Sequence, residues 1–182
     1  MAVIPSADVL VQQCLDGDSS AYRALYDRYS KAMFNTALRI VNTVPDAEDI
    51  LQDAFTDAFM KLRDFENRST FGAWLKQIVV YKSLNFLKRQ RTNLIDIDSI
   101  GETADEERDE DTVWYTVDLI REVMKDLPDG YRTVLSLHLF EGYEQDEVAE
   151  MLKVAPSTVR TQYIRGKQKL LNLLKVRAAN EQ

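Results

Sequence analysis

Apolar residues recur along most of the chain at spacings of three and four, which places them on one face of an α-helix. In residues 18–41 the apolar positions are Ala21, Leu25, Tyr29, Met33, Ala37 and Ile40. The same spacing predicts helices over residues 6–15, 45–63, 71–91, 112–127, 130–140, 144–152 and 156–176. No stretch alternates apolar and polar residues as a half-buried strand does. The pattern therefore predicts an all-α fold.

Polar residues at the predicted helix starts support these boundaries. Ser6 precedes the first helix, Asp18 or Ser19 starts the second, and Ser69 or Thr70 precedes the helix over residues 71–91. Side-chain oxygens at such positions accept hydrogen bonds from the free N–H groups of the first turn. Pro45 lies where a first-turn proline is tolerated.

An acidic segment separates the two groups of helices. Between Asp96 and Asp111 the chain has nine acidic residues and one basic residue, with no helical period. Such a composition cannot bury enough apolar surface to fold, so it predicts a flexible linker. We therefore predict two small helical domains, residues 6–92 and 112–177, joined by a linker over residues 93–111.

Bulk composition excludes several classes of protein. The 182-residue chain has no run of eighteen apolar residues and no basic N-terminal region followed by an apolar stretch. Neither membrane insertion nor a signal peptide is indicated, and a cytoplasmic location is expected. Cys14 and His138 are the sole residues of their types, so they predict no internal disulfide and no His-cluster metal site. Both are interpreted as structural, and no cofactor or metal is expected.

The C-terminal helices have the pattern of a helix-turn-helix, in "YEQDEVAEMLKVAPSTVRTQYIRGKQKLLNLL". Inward-facing positions are Val148, Ala149 and Leu152 on the first helix, and Val159, Tyr163 or Ile164, and Leu170 on the second. Seven basic residues and no acidic one lie between Lys153 and Asn180, although the net charge of the chain is −7. Side chains suited to phosphates and base edges are Ser157, Thr158, Arg160, Thr161, Gln162, Arg165 and Lys167. The alternative is an ordinary helical hairpin with a solvated basic face.

The stretch "DAEDILQDAF" (Asp46–Phe55) places acidic residues on one stripe of a helix, opposite the apolar residues Leu51 and Phe55. Like charges four residues apart, such as Asp49 and Asp53, destabilise a helix. A solvated face is one explanation and a docking surface is another. A metal site with Asp57 is disfavoured, because one straight helix rarely wraps three carboxylates around an ion.

Three segments in order resemble the bacterial RNA polymerase sigma factors of the extracytoplasmic-function group, which contain only sigma domains 2 and 4. "DAEDILQDAF" resembles the domain 2 segment that docks on the β′ clamp helices of the polymerase. "FENRSTFGAWLKQIVVYKSLNFLKRQR" resembles the part that opens and recognises the −10 promoter element. "LPDGYRTVLSLHLFEGYEQDEVAEML…STVRTQYIRGKQKL" is similar to domain 4, whose helix-turn-helix recognises the −35 element.

The resemblance implies a transcription initiation factor with no catalysis of its own, and it implies roles for particular residues. Asp49, Gln52 and Asp53 would contact core RNA polymerase. The residues implied at the −10 element are Asn67, Arg68, Ser69, Lys82, Asn85, Lys88 and Arg89. Those implied at the −35 element lie on the second helix of the helix-turn-helix, and they are Ser157, Thr158, Arg160, Thr161, Gln162, Arg165 and Lys167. Family resemblance also implies contact with the β flap and an anti-sigma factor as a partner.

Several assignments remain open at this level. Phe65, Phe71 and Trp74 are interpreted as core, whereas Tyr81 either lies near DNA or packs inside. The sequence departs from the family at Lys153, where a turn glycine is usual. Gly166 stands where the family usually has alanine. Two rival functions are a sigma mimic that sequesters an anti-sigma factor and a stand-alone helix-turn-helix regulator.

Overall fold

Helices account for the regular structure of residues 5–93 and 115–180, the part of the chain that the structure describes. The computed structural model divides into two units, Met1–Gln90 and Arg91–Gln182. No strand occurs within the described ranges, and the predicted all-α fold is confirmed. The predicted linker lies outside the described residues except at Asn93, as does the predicted helix start at Thr112. The domain limits proposed from the sequence stay predictions.

The described part of the first unit is formed by four helices and a short 3-10 turn. These elements are α1 (Ala7–Leu15), α2 (Ser19–Val41), α3 (Val44–Met60), the turn (Leu62–Asp64) and α4 (Phe71–Asn93). Ser6 accepts a hydrogen bond from the Val9 N–H at 3.3 Å, and Asp18 accepts one from the Ser20 N–H at 2.8 Å. Ser6 is therefore present as the predicted cap, and of the two candidates for α2 it is Asp18, not Ser19, that caps the helix. The α-helical part of α3 ends at Met60 rather than at residue 63, because Lys61 leaves the helical region with φ −101°.

Aromatic and aliphatic side chains from α2, α3 and α4 form the core of this unit. Its largest fully buried residues are Leu25, Ile40, Phe71, Leu75, Val79 and Val80. The Phe65 and Trp74 ring centroids lie 5.1 Å apart, and those of Phe71 and Trp74 lie 5.9 Å apart. The interpretation as core is confirmed for Phe65 and Phe71, whereas Trp74 is only half-buried. Cys14 is also buried, and burial raises the pKa of its thiol.

The second unit contains α5 (Val117–Met124), α6 (Asp129–Leu135), a π-helical turn (Ser136–Phe140), α7 (Gln145–Leu152) and α8 (Pro156–Asn180). The described helix α5 begins at Val117 because Thr116 accepts a hydrogen bond from the Leu119 N–H at 3.2 Å. One buried cluster in the core of this unit consists of Val123, Met124, Leu127, Leu135, Leu170 and Leu174. Long helix α8 packs against α5, α6 and α7, so it organises the described part of this unit.

Two side chains in this unit have structural roles. His138 Nδ1 lies 2.7 Å from the Tyr143 carbonyl oxygen, and its ring packs edge-on against Tyr163. The structural interpretation of His138 is confirmed. Arg132, which the sequence did not indicate as core, is buried and donates to the Leu127 carbonyl at 2.8 Å. That bond holds the start of α6 against the end of α5.

Candidate functional site

The predicted acidic ridge is an exposed stripe on α3. Asp49, Gln52 and Asp53 are all exposed, whereas Leu51 and Phe55 on the other side of the helix are buried. Thr43 caps the start of α3: its hydroxyl accepts from the Asp46 N–H at 3.4 Å, and Pro45 lies in the first turn. The ridge is thus held on a helix that is anchored by its apolar face. Its carboxylates are open to a partner.

Asp57, one turn beyond Asp53, is half-buried and not part of the open ridge. Its carboxylate lies 2.8 Å from the ammonium group of Lys82 on α4. That hydrogen bond lowers the pKa of Asp57 below the ordinary value, so the carboxylate is charged at neutral pH. The sequence left Asp57 without a role and assigned Lys82 to DNA, because a pair between two helices has no signature in residue spacing.

The other polar residues predicted on α4 form its outer face. Asn85, Lys88 and Arg89 are exposed, and they recur at three- and four-residue spacings as predicted. Beside them, α3 and α4 enclose an open groove of about 480 Å³. Its lining includes Asp53, Asp57, Trp74, Tyr81, Lys82, Asn85 and Arg89. Tyr81 is 49% exposed, so the packing interpretation of this residue is wrong and it belongs to the polar surface of the unit.

The loop between the 3-10 turn and α4 carries the three other residues assigned to the −10 element. Asn67, Arg68 and Ser69 are exposed, and Asn67 adopts a left-handed backbone with φ 55°. Arg68 pairs with Glu66 at 2.6 Å, with both side chains largely in solvent. Thr70, and not Ser69, caps α4 by accepting from the Ala73 N–H at 3.2 Å.

A second groove, of about 490 Å³, lies between this loop and α1. Its loop side includes Phe65, Asn67, Ser69 and Thr70, and its α1 side consists of Asp8, Val11, Gln12 and Leu15. The sequence did not indicate that α1 takes part. Residues 8–15 and 65–70 are far apart in the chain, so only the tertiary contact reveals that they share a groove.

The connection between α7 and α8 has helix-turn-helix form. Lys153 ends α7 in the left-handed conformation with φ 57° and ψ 46°, and Val154 donates to the Ala149 carbonyl at 3.1 Å. This six-to-one bond is typical of a Schellman helix ending. Pro156 is the first residue of α8. Val148, Ala149 and Val159 are buried at the contact between the two helices, as the pattern predicted.

Most of the predicted polar residues of α8 face outward. Ser157, Thr158, Arg160, Thr161 and Lys167 are exposed, whereas Gln162 and Arg165 are half-buried. The Thr161 hydroxyl donates to the Ser157 carbonyl at 2.9 Å, so its oxygen remains available as an acceptor. Ile164 is 56% exposed and Tyr163 is half-buried against the core, which settles the inward position as Tyr163.

Within residues 5–93 and 115–180, no group of three or more His, Cys, Asp or Glu side chains is arranged to hold a metal ion. None of the helices in the same ranges combines the length and apolar character needed to cross a membrane.

Comparison with protein families gives two matches, one in each unit. The family model described as Sigma-70 region 2 matches residues 25–92, and the one described as Sigma-70, region 4 matches residues 118–170. Together they cover about two thirds of the chain, in the order in which the sequence motifs occur.

Similar curated proteins align with nearly the whole chain. The ECF RNA polymerase sigma factor SigW of Bacillus subtilis (strain 168) is 27% identical over 178 residues, covering 91% of this chain and 95% of SigW. The RNA polymerase sigma-H factor of Pseudomonas aeruginosa is 28% identical over 174 residues, covering 87% of this chain and 89% of the relative.

Solved structures share the fold at lower identity. CnrH, in complex with the cytosolic domain of CnrY, has a TM-score of 0.55 at 24% identity, covering 94% of this chain and 99% of CnrH. The sigma factor RpoE of Bartonella quintana, in complex with the anti-sigma factor NepR, has a TM-score of 0.56 at 20% identity. The match covers 85% of this chain and 97% of RpoE. Because sigma-70 regions 2 and 4 both match in order, the chain belongs to the sigma-70 family, in its extracytoplasmic-function group, and directs RNA polymerase to promoters.

Proposed function

We propose that the chain docks on core RNA polymerase through Asp49, Gln52 and Asp53 of α3. Support comes from their exposure on a helix whose opposite face is buried, which leaves the acidic side chains open to a basic helix such as those of the β′ clamp. Charge complementarity of this kind steers association and fixes orientation. Sigma factors are not enzymes, so the polymerase carries out the chemistry.

We infer that the first unit contacts the −10 element with two surfaces. The groove between α1 and the loop would receive an unstacked base, because Asn67 and Ser69 offer hydrogen bonds beside the Phe65 ring. Extruded bases require both polar and apolar contacts. Arg68 would reach a nearby phosphate by exchanging its solvent-exposed pair with Glu66.

On the outer face of α4, Asn85, Lys88 and Arg89 would follow the duplex upstream of that base. Lys82 is assigned to the same face, although it is paired with Asp57 in the free chain. Contacts from Lys and Arg to phosphates position a protein on DNA without conferring sequence specificity. Promoter melting would then depend mainly on capture of the base by the loop groove.

We propose that α8 enters the major groove at the −35 element with its N-terminal residues. The arrangement of α8 is the single observation that carries this assignment: Ser157, Thr158 and Arg160 are exposed, while Val159 between them is fully buried. A recognition helix held in this way presents its first turns to base edges. Thr161, Gln162, Arg165 and Lys167 continue the same surface along the groove. The β flap is assigned to this unit by family resemblance.

The decisive experiment is in vitro transcription with purified core polymerase on a panel of promoters, with and without the protein. Promoter-dependent transcripts are expected only when the chain is added. A chain that does not bind core refutes the proposed function. Core binding without initiation identifies a sigma mimic, and promoter binding without polymerase identifies a stand-alone regulator.

The docking surface has its own test. Asp49→Ala combined with Asp53→Ala should weaken core binding by about tenfold or more while leaving the helical content unchanged. Asp16→Ala combined with Asp27→Ala is the matched control, because it removes the same charge from exposed positions of the same unit. Equal core affinity of the two double variants would show that the ridge is only a solvated surface.

An anti-sigma partner and a cytoplasmic location complete the proposal. CnrH and RpoE, which share the fold, were each solved with a partner: the cytosolic domain of CnrY and the anti-sigma factor NepR. We infer that this chain also has such a partner and acts where the polymerase acts. Affinity purification of the chain from its own host, in competition with added core polymerase, would identify a protein that occupies the same surfaces.

A further inference from the structure

The Lys82–Asp57 ion pair connects the two proposed surfaces of the first unit. Asp57 belongs to the same stripe of α3 as the ridge residues Asp49 and Asp53, and Lys82 belongs to the DNA-facing side of α4. The side chains are 40% and 26% exposed, so both partners reach the solvent-filled groove. An ammonium group held 2.8 Å from a carboxylate cannot contact a phosphate equally well at the same time.

The surroundings of the pair favour competition over simple support. Asp53 lines the same groove, which makes its α3 side negative, whereas Arg89 extends the positive side along α4. A DNA phosphate that approaches Lys82 therefore meets the Asp57 carboxylate at close range. Since like charges at short distance repel, Asp57 opposes the phosphate twice: by occupying Lys82 and by direct repulsion.

We propose that Asp57 is an intramolecular competitor for Lys82, and that docking of a basic partner on the ridge releases Lys82 for DNA. This inference rests on the proposed function. A positive helix beside Asp53 also attracts Asp57, one helical turn away, and so weakens its hold on Lys82. By linkage, polymerase docking and DNA binding then strengthen each other through one side chain.

The expected size of the effect follows from the exposure of the pair. Partly exposed ion pairs change an equilibrium constant by up to about fivefold. Each phosphate neutralised adds about −0.9 to the slope of log affinity against log salt. Release of Lys82 should therefore raise the affinity for duplex DNA by a few-fold at low salt and steepen the slope by about one phosphate.

The test compares Asp57→Asn with Asp53→Asn in the full-length chain. Both variants lose one negative charge from the same groove, but only Asp57→Asn frees Lys82. Binding to a short labelled duplex of arbitrary sequence is measured by fluorescence anisotropy at several salt concentrations. Asp57→Asn should bind about fivefold more tightly than Asp53→Asn and show the steeper slope.

Lys82 provides the internal control for this comparison. Lys82→Ala in the Asp57→Asn background should abolish the gain in affinity, because the ammonium group that Asp57→Asn frees is then absent. In the holoenzyme the gain from Asp57→Asn should shrink to less than about twofold, because docking has already released Lys82. Far-UV circular dichroism and thermal unfolding verify that each variant is folded.

The outcomes are separable from those of the proposed function. Equal affinities of the two Asn variants, weaker binding by Asp57→Asn, or no detectable binding by either would overturn the inference while leaving transcription with core polymerase unaffected. An equal gain in the free chain and the holoenzyme would overturn the coupling. Loss of transcription by the wild-type chain would refute the proposed function instead.

Discussion

Lys153 lies in a backbone conformation that favours glycine, so Lys153→Gly should stabilise the second unit. With φ 57° and ψ 46°, Lys153 is in the left-handed region at the end of α7. An L-residue with a Cβ loses about 1–2 kcal/mol there. Glycine avoids this strain but loses about 0.4–1 kcal/mol through the greater freedom of the unfolded chain. The expected net gain is about 0.5–1 kcal/mol.

Lys153→Ala separates the backbone effect from the loss of the charge. It removes the same ammonium group and most of the same side chain, but it retains the Cβ that causes the strain. Because the chain has two units, a single melting temperature would mix their transitions. Hydrogen exchange of the α7 and α8 amides reports on the relevant unit, and about 1 kcal/mol corresponds to roughly fivefold slower exchange. Protection no greater than that of Lys153→Ala would refute the reasoning.

Three further predictions concern other features of the two units. The hydrogen bonds from Ser20 lower the pKa of Asp18. The stability that these bonds give to the folded state is therefore fully present above about pH 4, and it is lost as the pH falls through the lowered pKa. Asp18→Asn, which caps a helix equally well, should therefore match wild type at pH 7 and lose less stability in acid, as measured by unfolding at both pH values. A Cβ on Gly166 would lie 3.1 Å from the Tyr131 Cβ, so Gly166→Leu should destabilise the second unit by about 1–3 kcal/mol in denaturant titrations; unchanged stability would show that α8 can shift. In binding assays with promoter variants, Arg160→Ala should relax discrimination at one −35 base pair by about 1–3 kcal/mol, whereas Lys167→Ala should weaken all sequences equally and reduce the salt slope by about one.

At position 166 the chain has a glycine where the family usually has an alanine. In isolation, replacing a helix-interior glycine by alanine favours the helix by about 1 kcal/mol. Here the backbone of α8 approaches Tyr131 and Leu135 of α6 so closely that a methyl group has little room. The glycine therefore permits the close crossing of α8 and α6, which the sequence pattern alone did not indicate.

Features that depend on one helix at a time were determined by the sequence. The three- and four-residue spacing separates Leu51 and Phe55 from Asp49 and Asp53, because a helix places such positions on opposite faces. Local hydrogen bonds determine the caps at Ser6 and Asp18 in the same way. The order of the matching motifs was likewise sufficient to indicate the family.

Features that depend on two elements meeting were decided only by the tertiary structure. The pairing of Asp57 with Lys82, the contribution of Gln12 to the loop groove, and the choice of Tyr163 over Ile164 all depend on how one helix is rotated against another. Spacing along a helix specifies which residues share its face, but it does not specify which residue of a neighbouring helix that face meets. That choice follows from the packing of the whole core, to which residues distant in the chain contribute together.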